Sequence, residues 1–288
     1  MDLVTDFSVP LPLMVIAEMI GAPIEHWPTF RRWSDAIMGL IHTVSGSPEA
    51  APSVAAFVAA HAEMQGYLAP LIAVRRVHAR PDLLSSLVAA DVEGARLNDD
   101  DLLGFFELLL LAGHETTTNL IDNAILSLLE HPDQHALVRR DPSLLASAIE
   151  EVLRYRSPVQ AAFRMTTQRV ALHGQEIPAS TLVLAMIGSA NRDPAQFASP
   201  SVFDVRRAPN AHAAFGHGIH FCVGAPLARL EGRVGIACLL ARFETMALAS
   251  ADPWEPRQAF HVHGPARLPL RFTPARSQSG AVRSAGGS

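Results

Sequence analysis

The sequence predicts a mainly α-helical fold with small β-sheets. The first reason is a helical pattern of about 32 residues, NDDDLLGFFELLLLAGHETTTNLIDNAILSLLEHPD, which spans roughly 48 Å at the rise of an α-helix. The second is the composition, 49% apolar and 18% charged, which is typical of a globular chain with a large core. The third is the segment RVALHGQEIPASTLVLAMIG, whose alternation between turn residues predicts short strands.

The first third of the chain is predicted to consist of helices. MVIAEMIGAPIEHWPTFRRWSDAIMGLI indicates short helices that are separated at Gly21, Pro23 and Pro28. The Ser, Gly and Pro content of residues 42–53 predicts a loop. An alanine-rich amphipathic helix is then expected from Ser53 to Arg76, followed by a turn, a short helix and a second turn.

The central helix carries its own start and stop signals. Asn98 or Asp99 can cap its N-terminus, acidic residues fill the first turn, and His131 followed by proline ends it. Its first half is apolar on most sides, so we expect it to run through the centre of the domain. The next segment, PSLLASAIEEVLRYRSPV, predicts a helix that stops at Pro158.

Two further features precede the C-terminus. The segment NRDPAQFASPSVFDVRRAPNAH, residues 191–212, predicts a long irregular connection, which is unusual enough to suggest a function. A strong helical pattern then runs from about Val223 to Phe243.

The charge and the cysteine content limit the classes of protein. The net charge of −5 gives no reason to expect nucleic acid or an anionic membrane as a partner. Two cysteines do not suggest a disulfide framework and favour a reducing, cytoplasmic setting. The N-terminal apolar run is broken by Pro10, Pro12 and Glu18, and the run over 102–113 carries Glu107 and is too short. No membrane span is therefore expected.

One of the cysteines, Cys222, lies in an unusual setting. It immediately precedes a predicted helix, where free backbone N–H groups and the helix dipole stabilise a thiolate. Gly216, Gly218 and Gly224 allow positive φ and a close approach to a flat object, and Phe215 offers a ring beside it. These features are compatible with an axial-ligand site for haem iron.

Two other interpretations of Cys222 are open at this level. A lone cysteine is usually a small buried hydrophobe, and Cys238 in GIACLLARF is expected to be one. His217, His220 and Cys222 could also bind zinc, but no fourth ligand lies nearby and the glycines would be unexplained.

The cysteine segment resembles the haem-binding signature of the cytochrome P450 family, F-x-x-G-x-[HR]-x-C-x-G. All fixed positions match, at Phe215, Gly218, His220, Cys222 and Gly224. The resemblance implies a bacterial-type P450 fold and a haem (heme b, iron protoporphyrin IX) with the Cys222 thiolate as its axial ligand. It also implies that His220 and Arg164 bind the haem propionates, which need cationic or strong N–H partners.

The family's acid–alcohol motif, [AG]-G-x-[DE]-T, is matched on the long central helix by Ala112, Gly113, His114, Glu115 and Thr116. Small residues at the first two positions leave room for dioxygen. The Thr116 hydroxyl can bond back to the carbonyl of Ala112. The resemblance assigns Thr116 and Glu115 to proton delivery during oxygen activation.

His114 belongs to the same motif and is expected to be structural or to face a propionate. A metalloprotease motif H-E-x-x-H would need a histidine at position 118, where Thr118 stands. That class of enzyme is excluded.

The family's E-x-x-R motif is matched by Glu151 and Arg154. In isolation such a pair is a surface ion pair of little value. The resemblance implies a buried pair that bonds to the connection before the cysteine loop, with Arg207 as the third partner.

The resemblance covers residues 1–273, which are interpreted as a partial P450 domain, and residues 274–288 are expected to be a disordered tail. About a hundred N-terminal residues of the family fold are expected to be missing. A start site placed too late, a truncated gene product and a partner that completes the fold are alternative explanations.

The implied function is that of a haem-thiolate monooxygenase of secondary metabolism, which inserts one oxygen atom from O2 into an apolar small molecule. Electrons are expected from a ferredoxin and its reductase, and Arg229 and Arg233 are either part of the docking patch or solvated surface residues. The substrate is expected near Leu108, Leu109, Ala112 and residues 159–163. The alternative is a truncated, non-catalytic fragment with weak or no haem binding.

Overall fold

A computed structural model describes residues 1–92, 94–249, 254–257 and 260–275 of the chain. The described α-helices are α1 (Pro10–Met19), α2 (Trp27–Gly39), α3 (Ile41–Ser45), α4 (Ala50–Val77), α5 (Leu83–Ala89), α6 (Asp99–Glu130), α7 (Pro132–Arg140), α8 (Leu145–Tyr155), α9 (Ile187–Ala190) and α10 (Ala225–Arg242). A π-helical turn over Val4–Ser8 and 3₁₀ turns over Ile24–His26, Pro142–Leu144 and Gly218–His220 complete the helical part.

The described strands are short and pair in antiparallel twos. They are β1 (Asp91–Val92), β2 (Ala95–Arg96), β3 (Ala161–Met165), β4 (Val170–Leu172), β5 (Gln175–Ile177), β6 (Leu182–Met186), β7 (Phe243–Leu248), β8 (Glu255–Pro256), β9 (Pro265–Arg267) and β10 (Leu270–Pro274). The pairs are β1–β2, β3–β6, β4–β5, β7–β10 and β8–β9. The predicted fold class, mainly α with small sheets, is confirmed.

Helix α6 forms the centre of the fold, as its pattern predicts. Asn98 and Asp101 form a reciprocal capping box at its start, which satisfies two backbone N–H groups that the helix leaves free. Its second half is almost entirely buried, and α1, α2, α8 and α10 all pack against α6. The helix ends at His131, whose backbone N–H bonds to Ser127, and Pro132 then begins α7.

Two predictions about the first third of the chain are wrong. The loop expected over 42–53 is largely helical, because α3 covers its start and α4 begins at Ala50. Gly46, at φ +63°, provides the left-handed residue that ends α3. Pro28 does not separate helices but lies in the first turn of α2, where its missing N–H costs no hydrogen bond.

The long connection before the cysteine loop matches its prediction, because residues 191–212 contain no helix or strand. At the other end, Pro274 is the last residue of β10, and residues 276–288 of the predicted tail lie outside the described part of the chain. Among the helices that the structure describes, none has both the length and the apolar character that a bilayer crossing requires.

Candidate functional site

Cys222 closes a tight loop at the start of α10. Its backbone N–H donates to the carbonyl of Phe215 over 2.9 Å, and α10 begins three positions later. Gly216 and Gly218 adopt positive φ, +72° and +66°, as the loop requires. Gly224 is different, because its φ is −80° and it serves as the N-cap of α10. A Cβ at Gly224 would lie 3.8 Å from the Cys222 sulfur, so this glycine keeps the space beside the thiol open.

An apolar surface surrounds the cysteine. The side chains of Ile219, Phe221 and Val223 are 98%, 53% and 97% exposed. Three large apolar residues exposed within five positions are unusual in a globular protein and mark a surface that binds another apolar group. A sulfur ligand at a helix start beside an apolar surface fits a haem with a cysteine axial ligand.

Of the two alternative interpretations of Cys222, a small buried hydrophobe does not fit a side chain that is only partly buried. In the part of the chain that the structure describes, no three His, Cys, Asp or Glu side chains are placed to hold a metal ion, which argues against zinc at His217, His220 and Cys222. Cys238 was expected in the core, but it is exposed on α10. Helical spacing turns it away from the core, to which its neighbours Ile236 and Leu239 contribute.

A set of four side chains, which we name the Glu150 clamp, links α8 to the cysteine loop. The clamp consists of Glu150, His212, Phe215 and Arg229. Arg229 donates from Nε and Nη2 to the two oxygens of Glu150, over 2.7 and 2.8 Å, and His212 Nε2 lies 3.0 Å from the second oxygen. The guanidinium also lies over the Phe215 ring, 4.5 Å from its centroid, at cation–π distance.

The clamp determines the charge state of Glu150. Burial alone would raise the pKa of this carboxyl, but the hydrogen bonds from Arg229 and His212 outweigh it and hold the pKa at about 2. Arg229 is therefore not a freely solvated arginine, while 38% of its side chain is exposed, and its part in a docking patch stays a prediction. The sequence patterns do not single out Glu150. Its only signal is its place as a glutamate directly before the E-x-x-R motif.

The E-x-x-R pair is fully buried. Arg154 donates from Nε and Nη2 to both oxygens of Glu151, each over 2.8 Å. Arg207 Nε lies 3.1 Å from Glu151 Oε2, as the third partner was predicted to do. Arg154 also donates to three backbone carbonyls of the long connection, those of Asn191, Pro200 and Val202. The pair thus fixes the path of the chain before the cysteine loop.

The acid–alcohol motif lies in the middle of α6. The Thr116 hydroxyl donates to the carbonyl of Ala112 over 2.7 Å, as predicted. Gly113 serves packing, because a Cβ there would lie 3.3 Å from Ile16 on α1. That Gly113 leaves room for dioxygen stays a prediction, and the direction that its missing side chain leaves free faces Ile16 on α1.

Glu115 is buried next to Thr116. One of its oxygens lies 2.9 Å from Nη1 of Arg257, and Asn119 donates to the same oxygen over 3.4 Å. Burial raises the pKa of the Glu115 carboxyl, while Arg257 and Asn119 oppose the rise. Arg257 is a second residue that the sequence analysis missed, because nothing in the sequence relates it to a helix some 140 residues earlier.

His114 is a structural residue. Its Nδ1 lies 3.1 Å from the hydroxyl of Ser34 on α2, and that hydroxyl also donates to the carbonyl of Leu110. Burial lowers the pKa of His114 to about 3, so the imidazole is neutral near pH 7. It links α6 to α2.

The two residues expected at the haem propionates are both exposed. Arg164, on β3, donates from Nη1 to the carbonyl of Phe163. His220 ends the 3₁₀ turn that precedes Cys222. Their binding to propionates stays a prediction.

The fold, the cysteine loop and the buried Glu–Arg pair define a haem-thiolate class of protein, and the chain belongs to the cytochrome P450 family. The family model "Cytochrome P450" matches residues 51–265, most of the chain. Cytochrome P450 monooxygenase PikC of Streptomyces venezuelae is 43% identical over 280 residues, which are 96% of this chain and 64% of PikC.

Solved structures of cytochrome P450s are also similar to the chain. The ligand-free structure of cytochrome P450 TbtJ1 has a TM-score of 0.88 and 45% identity, and the match covers 95% of this chain and 71% of TbtJ1. The structure of CYP109E1 from Bacillus megaterium in complex with testosterone has a TM-score of 0.85 and 41% identity, and covers 94% of this chain and 72% of CYP109E1. The chain thus spans 64% of the length of PikC and about 70% of these two structures. Membership of the family implies a haem with a cysteine thiolate ligand.

Proposed function

We propose that the chain forms the haem-binding and oxygen-activating part of a cytochrome P450 monooxygenase. In the reaction, one atom of O2 enters an apolar small molecule and the other leaves as water, with electrons from an external redox partner. The observation that carries the proposal is the Cys222 loop, which presents a thiol at a helix start beside exposed apolar side chains. When bound, haem supplies the redox chemistry that activates O2.

The residues that hold the haem come from two elements. Cys222 would bind the haem iron through its sulfur, and the Glu150 clamp keeps the Phe215 ring against the loop that carries Cys222. His220 and Arg164 are the proposed donors to the propionates, since both side chains are exposed and carry N–H groups that can donate to carboxylates.

Proton delivery is assigned to α6. The Thr116 hydroxyl uses its hydrogen on the Ala112 carbonyl, so its oxygen remains free to accept a hydrogen bond. The Glu115 carboxyl is the proposed proton carrier, because it is the acidic residue next to Thr116 and is shielded from bulk solvent. The small side chain of Ala112 leaves space on this face of α6.

The proposed substrate is an apolar small molecule near Leu108, Leu109, Ala112 and residues 159–163. Leu108 is 56% exposed on α6, which leaves it available for a substrate contact. The complex of CYP109E1 with testosterone supports an apolar substrate class. A ferredoxin with its reductase is the proposed electron source, and Arg233, exposed on α10, is available to an acidic partner.

A non-catalytic chain with weak or no haem binding is the second candidate. It is favoured by the span of the chain, which covers 64% of PikC's length. The two candidates differ in whether the purified chain takes up haem through Cys222.

The absorption spectrum of the reduced, carbon monoxide-exposed protein distinguishes them. We expect the strongly red-shifted band of a thiolate-ligated haem in the wild type, and its loss in Cys222→Ala. Cys238→Ala is the matched control, because it removes the exposed cysteine on α10 and should keep the band. A failure to take up haem, or the same band in Cys222→Ala, would contradict the proposal.

A further inference from the structure

The β8–β9 hairpin, near the C-terminus, rests on one polar face of α6. Along this face Glu115, Asn119 and Asn123 follow one another at four-residue spacing, so their side chains form a row on the helix. Their contacts on the hairpin side are Arg257, Gly264 and His263. We name these six residues the polar seam.

Two contacts of the polar seam fix the hairpin close to the helix. Asn123 donates from its amide to the carbonyl of His263 over 2.8 Å. Gly264 lies so near Asn119 that a Cβ at position 264 would overlap the Asn119 side-chain oxygen. Only a glycine permits this approach, so the hairpin backbone is in direct contact with α6.

The third contact is charged. Arg257 Nη1 lies 2.9 Å from Glu115 Oε1, with 23% and 7% of the two side chains exposed. The backbone N–H of Arg257 donates to the carbonyl of Gly264 over 3.0 Å, which ties the arginine to the seam. A guanidinium held by its own backbone beside a buried carboxylate makes a stronger ion pair than two mobile surface side chains do.

Arg257 also has the strongest influence of the charges around Glu115. Asp35 and Arg31, both on α2, act on the carboxyl in opposite directions. Asp122, on α6, is buried as well, and His114 is neutral near pH 7. Of the contributions that oppose the burial of Glu115, that of Arg257 is the largest, followed by the hydrogen bond from Asn119.

We propose that Arg257 is a positioning residue for proton delivery: the β8–β9 hairpin holds its guanidinium against one oxygen of Glu115, and so sets the orientation and the proton affinity of that acid. The proposal rests on the proposed function, in which Glu115 carries the proton. Glu115 is thereby controlled from a segment about 140 residues away in the chain.

An infrared pH titration of the full chain tests the proposal. The carboxylic C=O band of Glu115 is identified by its loss in Glu115→Gln, and its intensity is followed against pH in each variant. We expect Arg257→Gln to raise the proton affinity of Glu115 about tenfold or more, because a buried carboxyl loses its cation. Arg257→Lys keeps a charge at this place and should stay within about threefold of the wild type.

Arg267→Gln is the matched control. It removes the same charge from β9, where Arg267 pairs with Asp2 at the surface, and should leave the Glu115 titration unchanged. If Arg257→Gln does not fold, Arg257→Met provides a neutral side chain with an apolar stem for the same measurement. Equal titration midpoints in the wild type and the neutral variant would overturn the proposal, since the guanidinium would then not control the proton affinity of Glu115.

The titration is independent of haem chemistry, so the two proposals can fail separately. The carbon monoxide spectrum is recorded on the same samples. A chain without haem uptake but with the expected shift contradicts the proposed function alone, whereas normal haem uptake with an unshifted titration contradicts the role of Arg257 alone.

Discussion

Among single residues, Asp122 has the least common environment. Its side chain is fully buried on α6, and neither carboxyl oxygen has a hydrogen-bond partner among the residues that the structure describes. Burial raises the pKa of Asp122 to about 8, and the opposing contributions of Ser8 and Arg257 are smaller. The folded protein therefore keeps a neutral acid at a pH where the unfolded chain ionises it.

This acid should make stability depend on pH. Between about pH 4 and pH 8 the folded state holds a proton that the unfolded state releases, so the free energy of unfolding should fall as the pH rises. Asp122→Asn removes the effect, and its free energy of unfolding should exceed that of the wild type by on the order of 5 kcal/mol at about pH 8 but hardly at all near pH 4. Urea denaturation across this range measures the difference.

Asp100→Asn, in the exposed first turn of α6, is the control and should leave the pH slope as it is. If the free energy of unfolding changed with pH equally in the wild type and in Asp122→Asn, Asp122 would be ionised in the folded protein. The sequence does not predict this neutral acid, because only the packing of the N-terminal turn and the C-terminal hairpin against α6 removes Asp122 from water.

Among the elements, α8 has the most consequences for the site. Its consecutive carboxylates Glu150 and Glu151 bind different segments: Glu150 holds the cysteine loop and the start of α10, and Glu151 holds the long connection. One short helix thereby anchors the chain on both sides of Cys222. Arg154 completes this arrangement through the carbonyls of the connection.

The Glu150 clamp should contribute to stability. Glu150→Gln leaves Arg229 without its carboxylate, and we expect the free energy of unfolding to fall by about 1–3 kcal/mol near pH 7. Because the pKa of Glu150 is about 2 in the folded protein, below the ordinary value of 4.5, this stabilisation is present above about pH 4.5 and is lost as the pH falls toward 2. The difference in free energy of unfolding between the wild type and Glu150→Gln should therefore become smaller as the pH falls.

Urea denaturation near pH 7 and in acid measures the contribution of the clamp to the free energy of unfolding. Glu176→Gln is the matched control, since Glu176 pairs with Arg169 at the surface and its loss should cost less than about 0.5 kcal/mol. A Glu150→Gln protein as stable as the Glu176→Gln protein near pH 7 would contradict a role for the clamp.

Elements differ in how well the sequence predicts them. The ends of α6 follow from Asn98 and the proline after His131, because capping and proline chemistry are local. The prediction of a loop before α4 was wrong, since alanines that favour helix follow the Ser, Gly and Pro residues of this segment. Arg207 was found through its motif, but Glu150 belongs to no fixed pattern and its partner Arg229 is distant in sequence.

At the scale of the molecule, the described residues form two clusters of exposed apolar side chains that matter for binding. One is the Cys222 surface formed by Ile219, Phe221 and Val223. The other is the β3–β6 sheet, which exposes Met165, Leu182, Leu184 and Met186. Surfaces of this kind bind apolar partners.

We expect the folded chain without haem to bind a hydrophobic fluorescent dye at the Cys222 surface. Ile219→Gln combined with Val223→Gln should lower the dye fluorescence severalfold and change the free energy of unfolding by less than about 0.5 kcal/mol, because both side chains are almost fully exposed. Val58→Gln, at an exposed position on α4 outside the Cys222 surface, is the control. Undiminished fluorescence in the double variant would show that the dye binds elsewhere.

The family and the order of its motifs were predictable, because Cys222, Thr116 and Glu151 lie in short segments of fixed spacing. The polar seam was not, since it joins three positions of α6 to a hairpin that shares no motif with them. Contacts between distant segments depend on the packed fold, and no local pattern records them.

The seam also constrains how this chain can vary. A side chain at position 264 would occupy the space of the Asn119 amide, so the two positions cannot change independently. Among relatives that keep the hairpin in this place, a larger residue at 264 should occur together with a small one at 119. The contact between Gly264 and Asn119 would then appear in their aligned sequences as a pair of covarying positions.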